Sequence, residues 1–168
     1  MDIYRHKTQL ERIDNFLEKA NITERNREII KEFKTYSLVN GLSRSRVLKY
    51  MSNLKKMAEW FDMDFDKAKK KDVERVVGMI RSKEYSEWTK RTYCIIIKRF
   101  YKWLYGNDEE YPKEVSWIKN KLNRSKIKLP GEGDLITEEE IKLVLEKTSH
   151  PRNKALISVL FESGCRIG

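Results

Sequence analysis

Cysteine, histidine and proline are scarce in this sequence, at two, two and three in 168 residues. Cys94 and Cys165 stand far apart with no C-x-x-C spacing, which excludes a disulfide scaffold and a cysteine zinc site and fits a reducing cytoplasm. His6 and His150 add too little for a metal centre, so no metal and no cofactor is expected. No apolar run approaches the ~18 residues that a membrane span needs. The N-terminus, Met1-Asp2-Ile3-Tyr4, does not open the apolar stretch of a secretory signal. Strand-like alternation of any length is also missing. A cytoplasmic, all-α protein without membrane contact is the expectation.

Charge is what the chain has in excess: 37% of its residues are charged, and the net charge is +10. The excess is local. Residues 43–58 carry Arg44, Arg46, Lys49, Lys55 and Lys56 with no acid. Residues 88–104 carry Lys90, Arg91, Lys98, Arg99 and Lys102, and residues 119–128 carry Lys119, Lys121, Arg124, Lys126 and Lys128, again with no acid. The rest of the chain has 21 bases against 26 acids. Positive charge gathered into three runs on an otherwise acidic chain is what a phosphate-binding surface needs.

Helical periodicity organises the apolar residues. Leu10, Ile13, Leu17 and Ala20 form one stripe. Thr23 can cap a second helix with Ile29, Ile30 and Phe33 inward, and Gly41 can end it in the left-handed conformation. Ser43 can cap a third, with Val47, Tyr50, Met51, Leu54, Ala58 and Phe61 inward. Residues 62–72 read as irregular, with Asp72 as the cap of a fourth helix built on Val73, Val76, Val77 and Ile80. Ser86 opens the most apolar helix, which carries Tyr93, Ile96, Ile97, Phe100 and Leu104 and closes at Gly106. Pro112 suits the first turn of a short helix through Trp117 and Ile118. Trp60, Trp103 and Trp117 lie in or beside these stripes and read as core residues. Beyond a linker with Pro130, Gly131 and Gly133, Thr137-Glu138-Glu139-Glu140 has the form of a capping box. A last helix after Pro151 is expected to turn Ala155, Leu156, Val159 and Leu160 inward. The expected organisation is a helical domain over residues 1–120, with 1–40 as an N-terminal extension, a basic linker over 121–135, and a two-helix stub over 136–168. Two helices bury too little to fold well alone, so the stub is expected to lean on another surface or to be mobile.

Helix openings that carry hydroxyls and bases are natural phosphate contacts, because the first turn offers free N–H groups and a favourable dipole. Ser43, Arg44, Arg46 and Lys49 open one such helix, and Thr89, Lys90 and Arg91 another. Lys121, Arg124 and Lys126 of the linker complete the expected phosphate-binding set.

Three places in the chain resemble the tyrosine recombinases of the phage-integrase family. Gly41-Leu42-Ser43-Arg44-Ser45-Arg46-Val47, with Tyr50, Leu54 and Trp60-Phe61, looks like an early helix of their core-binding domain. Trp88-Thr89-Lys90-Arg91-Thr92-Tyr93, ending in Phe100-Tyr101-Lys102-Trp103-Leu104, looks like that domain's later DNA-facing helix. Leu135-Ile136-Thr137-Glu138-Glu139-Glu140-Ile141, then Arg152-Asn153-Lys154-Ala155-Leu156 and Gly164-Cys165-Arg166, looks like the start of the catalytic domain. The resemblance implies a small helical bundle, the SAM-like core-binding domain, that grips duplex DNA as one arm of a clamp. Other recombinase protomers on the DNA are implied as further partners.

The family breaks a strand by tyrosine attack on a phosphodiester, and Arg166 matches its first catalytic arginine, whose planar, permanently charged fork suits the developing oxyanion. The family's later lysine, its H-x-x-R motif and its tyrosine nucleophile would lie beyond residue 168. These residues are therefore expected to bind DNA without cutting it, as an N-terminal fragment. Tyr93, Tyr101, Tyr105 and Tyr111 read as core or groove residues instead. The residues leave a second reading open, a non-catalytic all-α regulatory or protein-interaction module with a basic surface.

Overall fold

The computed structural model describes residues 6–106, 110–122, 125, 127 and 131–165. Among them are seven α-helices and no strand: α1 (His6–Glu18), α2 (Glu24–Val39), α3 (Arg44–Phe61), α4 (Lys70–Ser82), α5 (Glu87–Leu104), α6 (Glu138–Lys147) and α7 (Pro151–Ser163). The all-α expectation holds. The chain divides into two compact units, Met1–Ile127 and Lys128–Gly168. None of the described helices is long and apolar enough to cross a membrane.

In the first unit α3 packs against α1, α2, α4 and α5. The apolar stripes close on one core that includes Ile29, Ile30 and Phe33 of α2, Val47, Met51 and Leu54 of α3, Val73, Val76 and Ile80 of α4, and Ile96, Ile97 and Phe100 of α5. Phe33 sits where α2, α3 and α5 meet, with ring centroids 5.0 Å from Trp103, 5.4 Å from Phe100 and 6.1 Å from Tyr50. Trp60, Trp103 and Trp117 pack against this core.

Local chemistry sets most helix ends. Thr23 Oγ1 accepts from the Asn26 N–H at 3.2 Å, and Ser86 Oγ from the Thr89 N–H at 3.2 Å. Gly41, at φ +72°, lets the chain leave α2 in a conformation that costs other residues. Asp72 is not the cap of α4: that helix starts two residues earlier, and the Asp72 carboxylate reaches back to accept the Lys69 N–H at 2.9 Å. Asp reads as a cap in sequence because its short acceptor serves equally well from the third helical position. Residues 113–117 form turns rather than a short helix, yet they still bury Val115 and Ile118.

The segment between α3 and α4 is more ordered than its polar sequence implies. Asn26, buried in α2, donates to the Met63 carbonyl and accepts from the Phe65 N–H, both at 2.8 Å. The hydroxyl of Tyr101 reaches the Phe65 carbonyl at 3.3 Å, and that of Tyr105 reaches Ala68 at 3.2 Å. Thr23 donates to Asp64 at 2.6 Å and Arg25 to Asp66 at 2.8 Å. Hydrogen bonds from Lys67 first and Thr23 second hold the Asp64 carboxyl below its ordinary value of 3.8. A carboxyl whose folded-state value is depressed stabilises the protein above its unfolded value, and that contribution is lost as pH falls through the folded value. The urea midpoint should therefore decline below about pH 4, and Asp64→Asn should flatten part of the decline. An acid limb identical in the two proteins would show that this carboxylate contributes nothing.

In the second unit α6 and α7 pack together. Thr137 and Glu140 form the capping box, with the Glu140 N–H donating to Thr137 Oγ1 at 3.2 Å and the Thr137 N–H to Glu140 Oε2 at 2.9 Å. His150 Nδ1 accepts from the Arg152 N–H at 3.2 Å, ahead of Pro151 in the first turn of α7. The expected inward face of α7 is not buried: Leu156 is 52% and Val159 60% exposed, and Ala155 is exposed as well. Among the described residues of this unit only Ile141 is buried, because a helix pair has one seam and no third layer to cover its flanks.

Candidate nucleic-acid interface

The first turn of α3 contains Arg44 and Arg46 and no acid. This arrangement runs against the helix dipole, which favours anions at an N-terminus and disfavours cations there by about 0.3–1 kcal/mol each. Ser43 occupies the cap position, but its hydroxyl makes no capping bond and lies 3.3 Å from the Ser45 hydroxyl. Arg44, Arg46 and Lys49 are exposed.

The start of α5 is more constrained. Thr89 belongs to the cap, its hydroxyl 2.9 Å from that of Ser86. Lys90 reaches Glu87 at 3.5 Å. The Arg91 Nε–H donates to the Asn120 carbonyl at 3.1 Å, and its guanidinium stands 5.9 Å from the Trp88 ring.

These two clusters lie at opposite ends of one helix pair. Trp60 near the end of α3 packs on Tyr93 near the start of α5, at 5.3 Å, whereas Tyr50 near the start of α3 lies under Arg99 in the second half of α5, at 5.9 Å. The helices are thus antiparallel. The stretch of α3 from Arg46 to Trp60 is roughly 20 Å long at the usual rise per residue. One pole carries Arg44, Arg46 and Lys49 of α3. The other gathers Lys90 and Arg91, with Arg81 from the end of α4 and Lys119 and Lys121 around a shared cavity.

Not every base in the acid-free runs faces outward to a partner. Lys98 lies 4.1 Å from the Tyr111 ring and donates to the Ile118 carbonyl at 3.2 Å, and Lys102 is 5.3 Å from the same ring. With Arg91 they fasten residues 111–120 back onto α5. Among the linker residues, Lys121 is exposed, while Arg124 and Lys126 lie outside the described residues, as does Arg166. Arg81 belongs to this site, yet it stands in an acid-containing helix outside the three runs, where its sequence context gave no signal. Burial raises the hydroxyls of Tyr93 and Tyr101 above their ordinary value of 10.

The first unit is thus an all-α domain with bases gathered at the starts of α3 and α5. Residues 30–107 match the family described as phage integrase, N-terminal SAM-like domain. That stretch, from the middle of α2 past the end of α5, is similar to the N-terminal SAM-like domain of phage integrases, which points to a recombinase-related role. It contains the first two of the three resembling segments, and the segment from Leu135 to Arg166 falls outside it. No curated protein and no solved structure is a significant match for the chain.

Proposed function

We propose that the first unit binds duplex DNA and serves as one arm of a recombinase clamp. The observation that carries this reading is the start of α3, where Arg44 and Arg46 are exposed in a first turn without an acid, behind a cap serine that makes no capping bond. A phosphate there would turn an unfavourable local field into a favourable one. Ser43, Arg44, Arg46 and Lys49 form one contact group and Thr89, Lys90 and Arg91 the other, with Lys121, Arg124 and Lys126 continuing along the backbone. At the level of a whole recombinase, Arg166 would stabilise charge on the phosphodiester under tyrosine attack.

The test is fluorescence anisotropy with a labelled duplex of about three helical turns. Binding at low salt is expected, with log affinity falling linearly in log salt at about 0.9 per phosphate neutralised. A folded protein that ignores duplex DNA at low ionic strength would sink the proposal.

A second reading, a protein-interaction module, draws on the exposed apolar residues of the second unit, where Leu143, Leu156 and Val159 are all more than half exposed. It predicts a stable complex with another protein that survives Arg44→Ala with Lys90→Ala.

A further inference from the structure

Where α4 ends, α5 begins and residues 119–121 pass, the surface folds into an open cavity of about 220 Å³. Its wall holds Arg81, Lys90, Arg91, Lys119 and Lys121, against a single acid, Glu87. Three separate stretches of chain contribute these bases, so no single amphipathic face accounts for them. Arg81, exposed at the end of α4, lines the cavity together with the buried Cys94. Arg91 is positioned by the Asn120 carbonyl and the Trp88 ring, and Lys90 by Glu87. Lys119 and Lys121 are exposed at the rim.

Resting on the DNA-binding reading, we propose that this cavity is a seat for one phosphodiester of the DNA backbone, and that Arg81 and Lys119 are contacts for it. Shape favours a phosphate over a base edge. A concave site takes a group that projects, and backbone phosphates project, whereas base edges lie recessed in a groove about 8.5 Å deep. Charge favours it equally, since guanidinium forks and ammonium groups converging from several sides match the several oxygens of a phosphate. Contacts of this kind fix the register of a protein on DNA and carry no sequence information. The pole at the start of α5 is thus the anchor, and any reading of base edges falls to the pole at the start of α3.

The experiment compares wild type with Arg81→Gln/Lys119→Gln and, separately, Glu87→Gln, using labelled duplexes of two unrelated sequences across a salt series. Melting is recorded for each protein. The double variant should lose about tenfold in affinity or more, equally on both sequences, with a salt slope shallower by about 0.9. Removing the lone acid should strengthen binding. Inorganic phosphate is titrated alone at constant ionic strength as a further arm. If wild type binds duplex DNA and the double variant does so with unchanged affinity and slope, the cavity is not a DNA contact. Saturable uptake of inorganic phosphate alongside that result would assign it to a free anion and overturn the proposal likewise. Failure of wild type to bind any duplex would instead remove the DNA-binding reading on which the proposal stands.

Discussion

Phe33→Ala should destabilise the first unit by about 3–5 kcal/mol, the cost of emptying a large aromatic site in a closed core. Phe33 is fully buried, and its ring contacts Tyr36 of its own helix, Tyr50 of α3, and Phe100 and Trp103 of α5. The ring joins three helices, so neighbours that move into the space must leave packing elsewhere. Against a typical total of about 5–15 kcal/mol, the loss is a large fraction of the whole. The melting temperature should fall by roughly 10–20 °C. Phe16→Ala is the control: its ring on α1 is 62% exposed, and the expected change stays within about 0.5 kcal/mol. Equal losses in the two variants would mean that the core is not centred on Phe33.

Arg46→Ala/Lys49→Ala at one pole and Lys90→Ala/Arg91→Ala at the other should each weaken duplex binding about a hundredfold or more, if each base makes one charge-assisted contact. The salt slope should become shallower by up to about 1.8 for each pair. Because the poles are roughly 20 Å apart along α3, their effects should add when all four substitutions are combined. A combined variant no weaker than either pair would show that only one pole touches DNA. Arg91 also fastens the Asn120 carbonyl, so melting must be followed with binding in that pair. Arg46 and Lys49 are exposed, and the melting temperature of their double variant should stay near that of wild type.

The core was legible because it depends on period alone. Ile29, Ile30 and Phe33, or Tyr93, Ile96, Ile97 and Phe100, fall on one side of any helix that contains them, and all are buried. Caps were legible where a side chain acts on its own neighbours, as at Thr23, Ser86 and Thr137. Residues 62–68 were not, because their partners are Asn26, Tyr101 and Tyr105, some 36 to 39 positions away in the bonds they make. The exposed face of α7 shows the converse: apolar spacing marks the side that could be buried, and burial needs a surface to cover it.

The sequence by itself determined the helical class, the helix order and the concentration of positive charge, since propensity, periodicity and composition act over a few residues. Only the tertiary structure decided how that charge is distributed. Antiparallel packing of α3 and α5 sends Arg46 and Lys90 to opposite ends, and folding back of residues 111–120 commits Lys98 and Lys102 to Tyr111. The end of α4 brings Arg81 into the cavity with Lys90 and Lys119. Charge is a property of each residue, but the field that a phosphate meets depends on distances between residues far apart in the chain, and those distances exist only once the helices have packed.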